Sequence, residues 1–223
     1  MIPFPGGIES TPNATLILAV AAAVIYLLLL NARRTWLRAI IKTMPAALLA
    51  VLSIVMGGPT LLAIGLLFSA AGDAFLSREN DRLFQSGVLC FLVAQVLYTI
   101  LFYQVGGGFE LFMTDWLRMV VGGVMTASML VMLVLLMMHV QPAMRPLIAL
   151  YVFAILAMGL TALTTDNLWV IVGALLFVVS DTVLAIEKFM MSAINPLRDV
   201  MRYTVWITYV AAQLGIALGF LRA

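Results

Sequence analysis

Eight apolar runs, each close to the roughly 20 residues a helix needs to cross a bilayer, fill most of this 223-residue chain, and short polar turns separate them. They lie at about 14–30, 37–56, 60–76, 83–105, 116–138, 147–163, 168–186 and 203–221. Backbone surrounded by lipid must satisfy its own N–H and C=O groups, so runs of this length fold as helices. The expectation is an all-α, polytopic membrane helix bundle of about eight transmembrane helices in one domain. Composition agrees: 65% of residues are hydrophobic and 10% charged, with a mean hydropathy of +1.16, against about 45–50% apolar and about 25% charged in soluble domains. No separate soluble domain is expected.

The stops between runs are chemically explicit. Gly57, Gly58 and Pro59 end the second run, and the charged turn 77–82 (SRENDR) ends the third. Gly106, Gly107 and Gly108 end the fourth, and the polar turn 164–167 ends the sixth. Residues 1–13 contain Pro3, Pro5 and Pro12 but no Lys or Arg, so they read as a short retained tail and not a signal peptide. Ten of the twelve Lys and Arg residues fall after the first, third, fifth and seventh runs: Arg33, Arg34, Arg38, Lys42, Arg78, Arg82, Arg145, Lys188, Arg198 and Arg202. Only Arg118 and Arg222 fall on the other side. The positive-inside rule then puts both termini on the non-cytoplasmic side. This arrangement accounts for the net charge of +2 without a nucleic-acid partner.

Two runs carry an acid. Residues 66–77 read LLFSAAGDAFLS and residues 175–188 read LLFVVSDTVLAIEK, placing Asp73 and Asp181 within apolar sequence. On insertion scales such an acid costs about 2.5–3.5 kcal/mol, and intramembrane acids are functional by default. The two frames differ by one residue and sit four helices apart, which suggests a weak internal repeat of spans 1–4 and 5–8. At 1.5 Å rise per residue, Asp73 lies roughly 6 Å from Ser77 and Asp181 roughly 9 Å from Glu187, both towards the cytoplasmic end. Lys42, Gln95, Tyr98, Ser180, Tyr209 and Gln213 fall in the same half of the bundle. Together they describe a polar cavity reached from the cytoplasmic leaflet.

Plainer readings exist for most of these groups. Lys42 suits a snorkelling anchor, and Gln95, Tyr98, Tyr209 and Gln213 suit interhelical hydrogen bonding. Ser69 suits a bond to its own helix, as Ser180 could. Asp115, Asp166, Asp199, Glu79, Asp81, Glu110 and Glu187 lie in or beside loops and read as solvated. Cys90 reads as a packed apolar residue. With one Cys and one His, His139, neither a zinc cluster nor a Ser-His-Asp or Cys-His arrangement is supported, and no metal or cofactor is expected. The chemistry rests on carboxylates. One carboxyl can donate a proton while the other stays ionised and holds developing positive charge, which suits cleavage through an oxocarbenium-like cation. The rival use of two such acids is proton-coupled transport. Their shared depth, and the absence of a span broken in its middle, favour an enzyme.

The segments KTMP (42–45), FSAAGDAFL (68–76), FLVAQVLY (91–98), LFVVSDTVLA (176–185) and TYVAAQ (208–213) together resemble the YhhN-type lysoplasmalogenase family of integral membrane proteins. Two positions depart from the family pattern: Gln95 stands where a histidine is expected, and KTMP stands for a Lys-x-Leu-Pro form. The resemblance implies cleavage of the vinyl ether bond of lysoplasmalogens, giving a fatty aldehyde and glycerophosphoethanolamine or glycerophosphocholine. It implies Asp73 and Asp181 as the catalytic acids, Lys42 towards the substrate phosphate, and tyrosines with Gln213 on the glycerol or water. The lysophospholipid would enter from the inner leaflet, and the expected setting is a bacterial plasma membrane.

Overall fold

The computed structural model describes residues 3–222 apart from 34, 79 and 193, so the readings of Arg34 and Glu79 lie outside the described residues. The described chain is helical: α1 (Thr11–Leu28), α2 (Trp36–Val55), α3 (Thr60–Leu76), α4 (Asp81–Val105), α5 (Gly108–Thr114), α6 (Trp116–His139), α7 (Arg145–Ala162), α8 (Leu168–Phe189) and α9 (Leu197–Leu221). Seven are long and apolar enough to cross a bilayer, and α3, with 17 residues, is shorter but equally apolar. The polytopic bundle expected from the apolar runs is therefore present. Its lipid-facing side is apolar, as with Leu18, Val24, Ile54, Val124, Val131 and Leu150, all exposed.

Local chemistry sets the helix ends. Gly57 takes a left-handed φ of 66°. Its N–H then reaches Ile54 O while Gly58 N–H reaches Ser53 O, the paired bonds of a Schellman stop on α2. Asn80 and Asn167 start α4 and α8 by accepting from the second and third helical N–H groups. Helix α2 runs unbroken through Pro45, which removes one internal hydrogen bond.

Three expectations need correction. The stretch 108–114 was expected as connection, yet it forms the short helix α5, whose Phe112 ring packs on Gly122. Helix α9 starts at Leu197 and not near 203, because Pro196 stands at its N-terminus and the Asn195 side chain accepts from Leu197 N–H at 2.9 Å. The longer α8 and α9 bring Glu187 against Arg198 and Arg202. Glu187 is consequently 7% exposed and buried, not solvated.

Helices α2, α3, α4, α7, α8 and α9 follow one another around a ring that α9 closes against α2. Helix α1 lies outside against α2 and α9, and α6 lies outside against α7 and α8. Inside, Leu49, Leu62, Leu66, Tyr98, Phe102, Met158, Phe177 and Ile216 form a closed core. Trp206 ties α9 to α1 through a 3.0 Å hydrogen bond from Nε1 to Ala23 O. At the end opposite most of the cations, Arg118 is absorbed by Leu163 O, Thr165 O and Asp115.

The closest backbone approach is between α8 and α9. A Cβ on Gly173 would stand 2.8 Å from Ile216 N and 2.9 Å from Ala212 O, and backbone cannot yield as a side chain does. Gly173→Ala should therefore separate α8 from α9 and cost about 1–3 kcal/mol. Gly123→Ala, where nothing lies within 4 Å, should be neutral or slightly stabilising. Thermal unfolding of both variants in detergent checks this, and equal midpoints would contradict the packing described.

Candidate active site

Asp73 lies on the last turn of α3, and its two oxygens have different partners. The Tyr209 hydroxyl on α9 donates to Oδ2 at 2.6 Å, and the Lys42 ammonium on α2 stands 3.4 Å from Oδ1. Asp181, on α8, receives neutral donors only. Gln95 Nε2 on α4 donates to its Oδ2 at 2.9 Å, and the Tyr151 hydroxyl on α7 donates to the same oxygen. Asp73 thus has a cation against it, whereas Asp181 keeps Oδ1 clear of these donors. Charge-assisted bonds of this kind are among the strongest a buried carboxylate can accept.

A second layer holds these donors. Tyr98 on α4 donates to Gln213 Oε1 on α9 at 2.8 Å, and both are buried. Tyr209 is gripped edge-on by Phe91 and Phe177, with ring centroids 5.7 and 5.8 Å away. Phe91 can approach because Gly72 has no Cβ, which would otherwise meet its ring at 2.6 Å. The Ser180 hydroxyl donates to Val205 O on α9 at 3.0 Å, whereas Ser69 donates to Gly65 O of its own helix.

Two cavities meet at the acids. A polar cavity of about 580 Å³ opens at the end of the bundle that carries most of the Lys and Arg residues; Lys42, Asp73, Ser180, Asp181, Arg198 and Tyr209 line it. A narrow apolar pocket of about 60 Å³ runs between α4, α6, α7 and α8, lined by Val88, Met129, Met132, Ile148, Val152 and Ile155 among others. Asp73 faces the polar cavity alone. Asp181 borders both.

The structure thus brings Lys42, Asp73, Ser180, Asp181 and Tyr209 to one cavity wall. It places Gln95, Tyr98 and Gln213 behind that wall, where they touch the carboxylates or one another. Tyr151 was missed in the sequence. Tyr151 lies four residues past the start of the 147–163 run, and the available signal was its position, about 9 Å past Arg145 along α7 at the depth of Asp181. Among the described residues, no group of three His, Cys, Asp or Glu side chains could hold a metal ion.

The partner scheme is reciprocal. Asp73 on α3 is served by the preceding helix α2 and by α9, while Asp181 on α8 is served by the preceding helix α7 and by α4. Each half of the chain supplies a donor to the acid of the other.

Comparison with known proteins points to one family. The sequence profile of the YhhN family matches residues 37–220. Bovine lysoplasmalogenase TMEM86A is 30% identical over 202 residues, covering 82% of this chain and 78% of the relative. Human lysoplasmalogenase TMEM86A matches with the same identity and coverage. No solved structure matches.

Because the Lys42 and Asp73 side chains are 14% and 4% exposed, removing one charge strands the other. Lys42→Met should destabilise the fold by on the order of 3 kcal/mol, and Lys42→Met combined with Asp73→Asn should recover most of that loss. A double-mutant cycle on thermal stability in detergent measures the coupling. Additive losses would show that the pair does not interact.

Proposed function

Because the chain belongs to the YhhN family, we propose that it is a membrane-embedded lysoplasmalogenase, hydrolysing the vinyl ether bond of a single-chain lipid with Asp181 as proton donor and Asp73 as the permanent negative charge. The observation that carries this reading is the position of Asp181 on the seam between an apolar pocket and a polar cavity. A lysoplasmalogen has its reactive carbons at the same kind of seam, between an aliphatic chain and a polar glycerol phosphodiester.

The steps follow from the partners. Protonation of a vinyl ether occurs on the alkenyl carbon farther from oxygen, which belongs to the chain side. Asp181, bordering the apolar pocket, delivers its proton from Oδ1 to that carbon, and the C=C electrons form the new C–H bond. The resulting oxocarbenium ion is positive, and the Asp73 carboxylate faces it across the polar cavity. A fixed anion placed where positive charge develops lowers the barrier without reorganisation. Water then adds to the cationic carbon and returns a proton to Asp181. The hemiacetal loses its hydroxyl proton, its former ether oxygen gains one, and the C–O bond breaks to give aldehyde and glycerophosphodiester. Tyr151 and Gln95 keep Oδ2 of Asp181 occupied and so direct Oδ1 to the substrate. Tyr209 and Lys42 hold Asp73.

A proton-coupled transporter is not favoured: both acids sit at one depth beneath one cavity that opens at one end. The cation-rich end is assigned to the cytoplasm by the positive-inside rule, which brings the lipid in from the inner leaflet and puts both termini outside. The membrane is taken to be a bacterial plasma membrane, although the matched relatives are bovine and human. The reciprocal partner scheme supports an origin by duplication of a four-helix unit, α1–α4 and α6–α9.

The purified protein supplied with lysoplasmalogen in detergent should release free aldehyde, and Asp181→Asn should lower that release by about 10²–10⁴-fold, the usual contribution of a general acid. Wild-type release no greater than that of a variant carrying both Asp73→Asn and Asp181→Asn would refute the hydrolase.

A further inference from the structure

Lys42 is engaged by Asp73, so its ammonium belongs to the catalytic layer, and the substrate's phosphate needs a different receptor. Resting on the hydrolase reading, we propose that Arg198 and Arg202, held in place by the buried Glu187, form the site for the phosphodiester of the lipid head group. Arg198 Nε donates to Glu187 Oε1 at 2.7 Å, with Nη2 against the same oxygen. Arg202 Nε lies 3.5 Å from it, and Arg202 Nη1 lies 3.4 Å from the exposed Asp199. The three contacts to Glu187 all fall on its Oε1.

A latch between α8 and α9 needs one arginine. At the cavity wall two guanidinium groups face the single buried carboxylate of Glu187, while Arg202's other partner, Asp199, is exposed to solvent and outside the cavity lining, where an ion pair is weak. Arginine's planar fork binds phosphate through paired N–H donors, which a lysine cannot reproduce. Glu187 acts as a positioning residue: it fixes one edge of Arg198 and leaves Nη1 available. The rim adds two further cations, Lys188 over the Phe84 ring and Arg78 over the Trp36 ring.

The spacing also fits. Glu187 lies six residues beyond Asp181 on α8, about 9 Å along the axis. In a lysoplasmalogen the vinyl ether oxygen and the phosphorus are five bonds apart, roughly 6 Å when extended, and the reach of a guanidinium covers the remainder. With the phosphodiester at Arg198 and the reactive carbons at Asp181, the chain points into the apolar pocket. This arrangement orients the lipid with one usable polarity.

The test compares a lysoplasmalogen with the matching 1-alkenylglycerol, which has the same chain and vinyl ether but no phosphate. Arg198→Gln and Arg202→Gln should each lower kcat/KM for the lysoplasmalogen about tenfold more than for the alkenylglycerol, through KM, as expected for loss of one charge-assisted contact. Lys42→Met should lower kcat for both substrates alike. Should Arg198→Gln misfold because Glu187 loses its nearest partner, the double variant Glu187→Gln/Arg198→Gln removes both charges and should show the same selectivity change. Equal losses on both substrates would overturn the proposal and reduce these arginines to a structural latch or a membrane-surface anchor; repeating the assay in vesicles with and without anionic lipid separates those two. If wild-type protein cleaves neither substrate, the hydrolase reading fails before this one is reached.

Discussion

The dominant constraint on this bundle is the cost of keeping two carboxyl groups inside a membrane. Neither Asp73 nor Asp181 is satisfied by its own helix. Each is held by a side chain from the neighbouring helix and by one from the opposite half of the chain. Hydrogen bonds and charge here do what apolar burial does in a soluble core: they decide which helices must be adjacent. Closing the ring between α9 and α2 brings Tyr209 and Lys42 to the same carboxylate, and the approach of α4 to α7 brings Gln95 and Tyr151 to the other.

The same constraint gives the two acids different characters. Asp73 has a cation against it, while Asp181 has only phenol and amide donors. Position reinforces the difference. Of the two acids only Asp181 borders the apolar pocket, so in the proposed reaction its proton goes to a hydrocarbon-like carbon and the cation formed faces Asp73 across the polar space. The proposed reaction order rests on that one asymmetry.

Much of this was legible in the chain itself, for identifiable reasons. The length of the apolar runs, the alternation of Lys and Arg, and the depth of the two aspartates depend on composition and on a 1.5 Å rise, and all survive folding unchanged. What depended on the azimuth of a helix, or on extension beyond its apolar stretch, was not. Glu187 looked solvated because Arg198 and Arg202 were assigned to a loop, and one additional turn and a half of α9 buried it. Tyr151 was not singled out, because nothing in a single span reveals which face meets Asp181. Lys42 had two readings, anchor or site, and its contact with Asp73 could not be seen in the sequence. Gln95 was found by its polarity, but its place behind the wall is a property of the packed ring.

The central claim is that Asp181 protonates the chain-side carbon and that water then attacks the adjacent one. The most direct measurement is the fate of solvent atoms. Turnover in heavy water and in heavy-oxygen water, with the aldehyde trapped by reduction as it forms, should place one deuterium on the carbon next to the former carbonyl and heavy oxygen on the trapped alcohol, leaving the glycerophosphodiester unlabelled. Heavy oxygen in the glycerophosphodiester, or no deuterium on the chain, would contradict the mechanism.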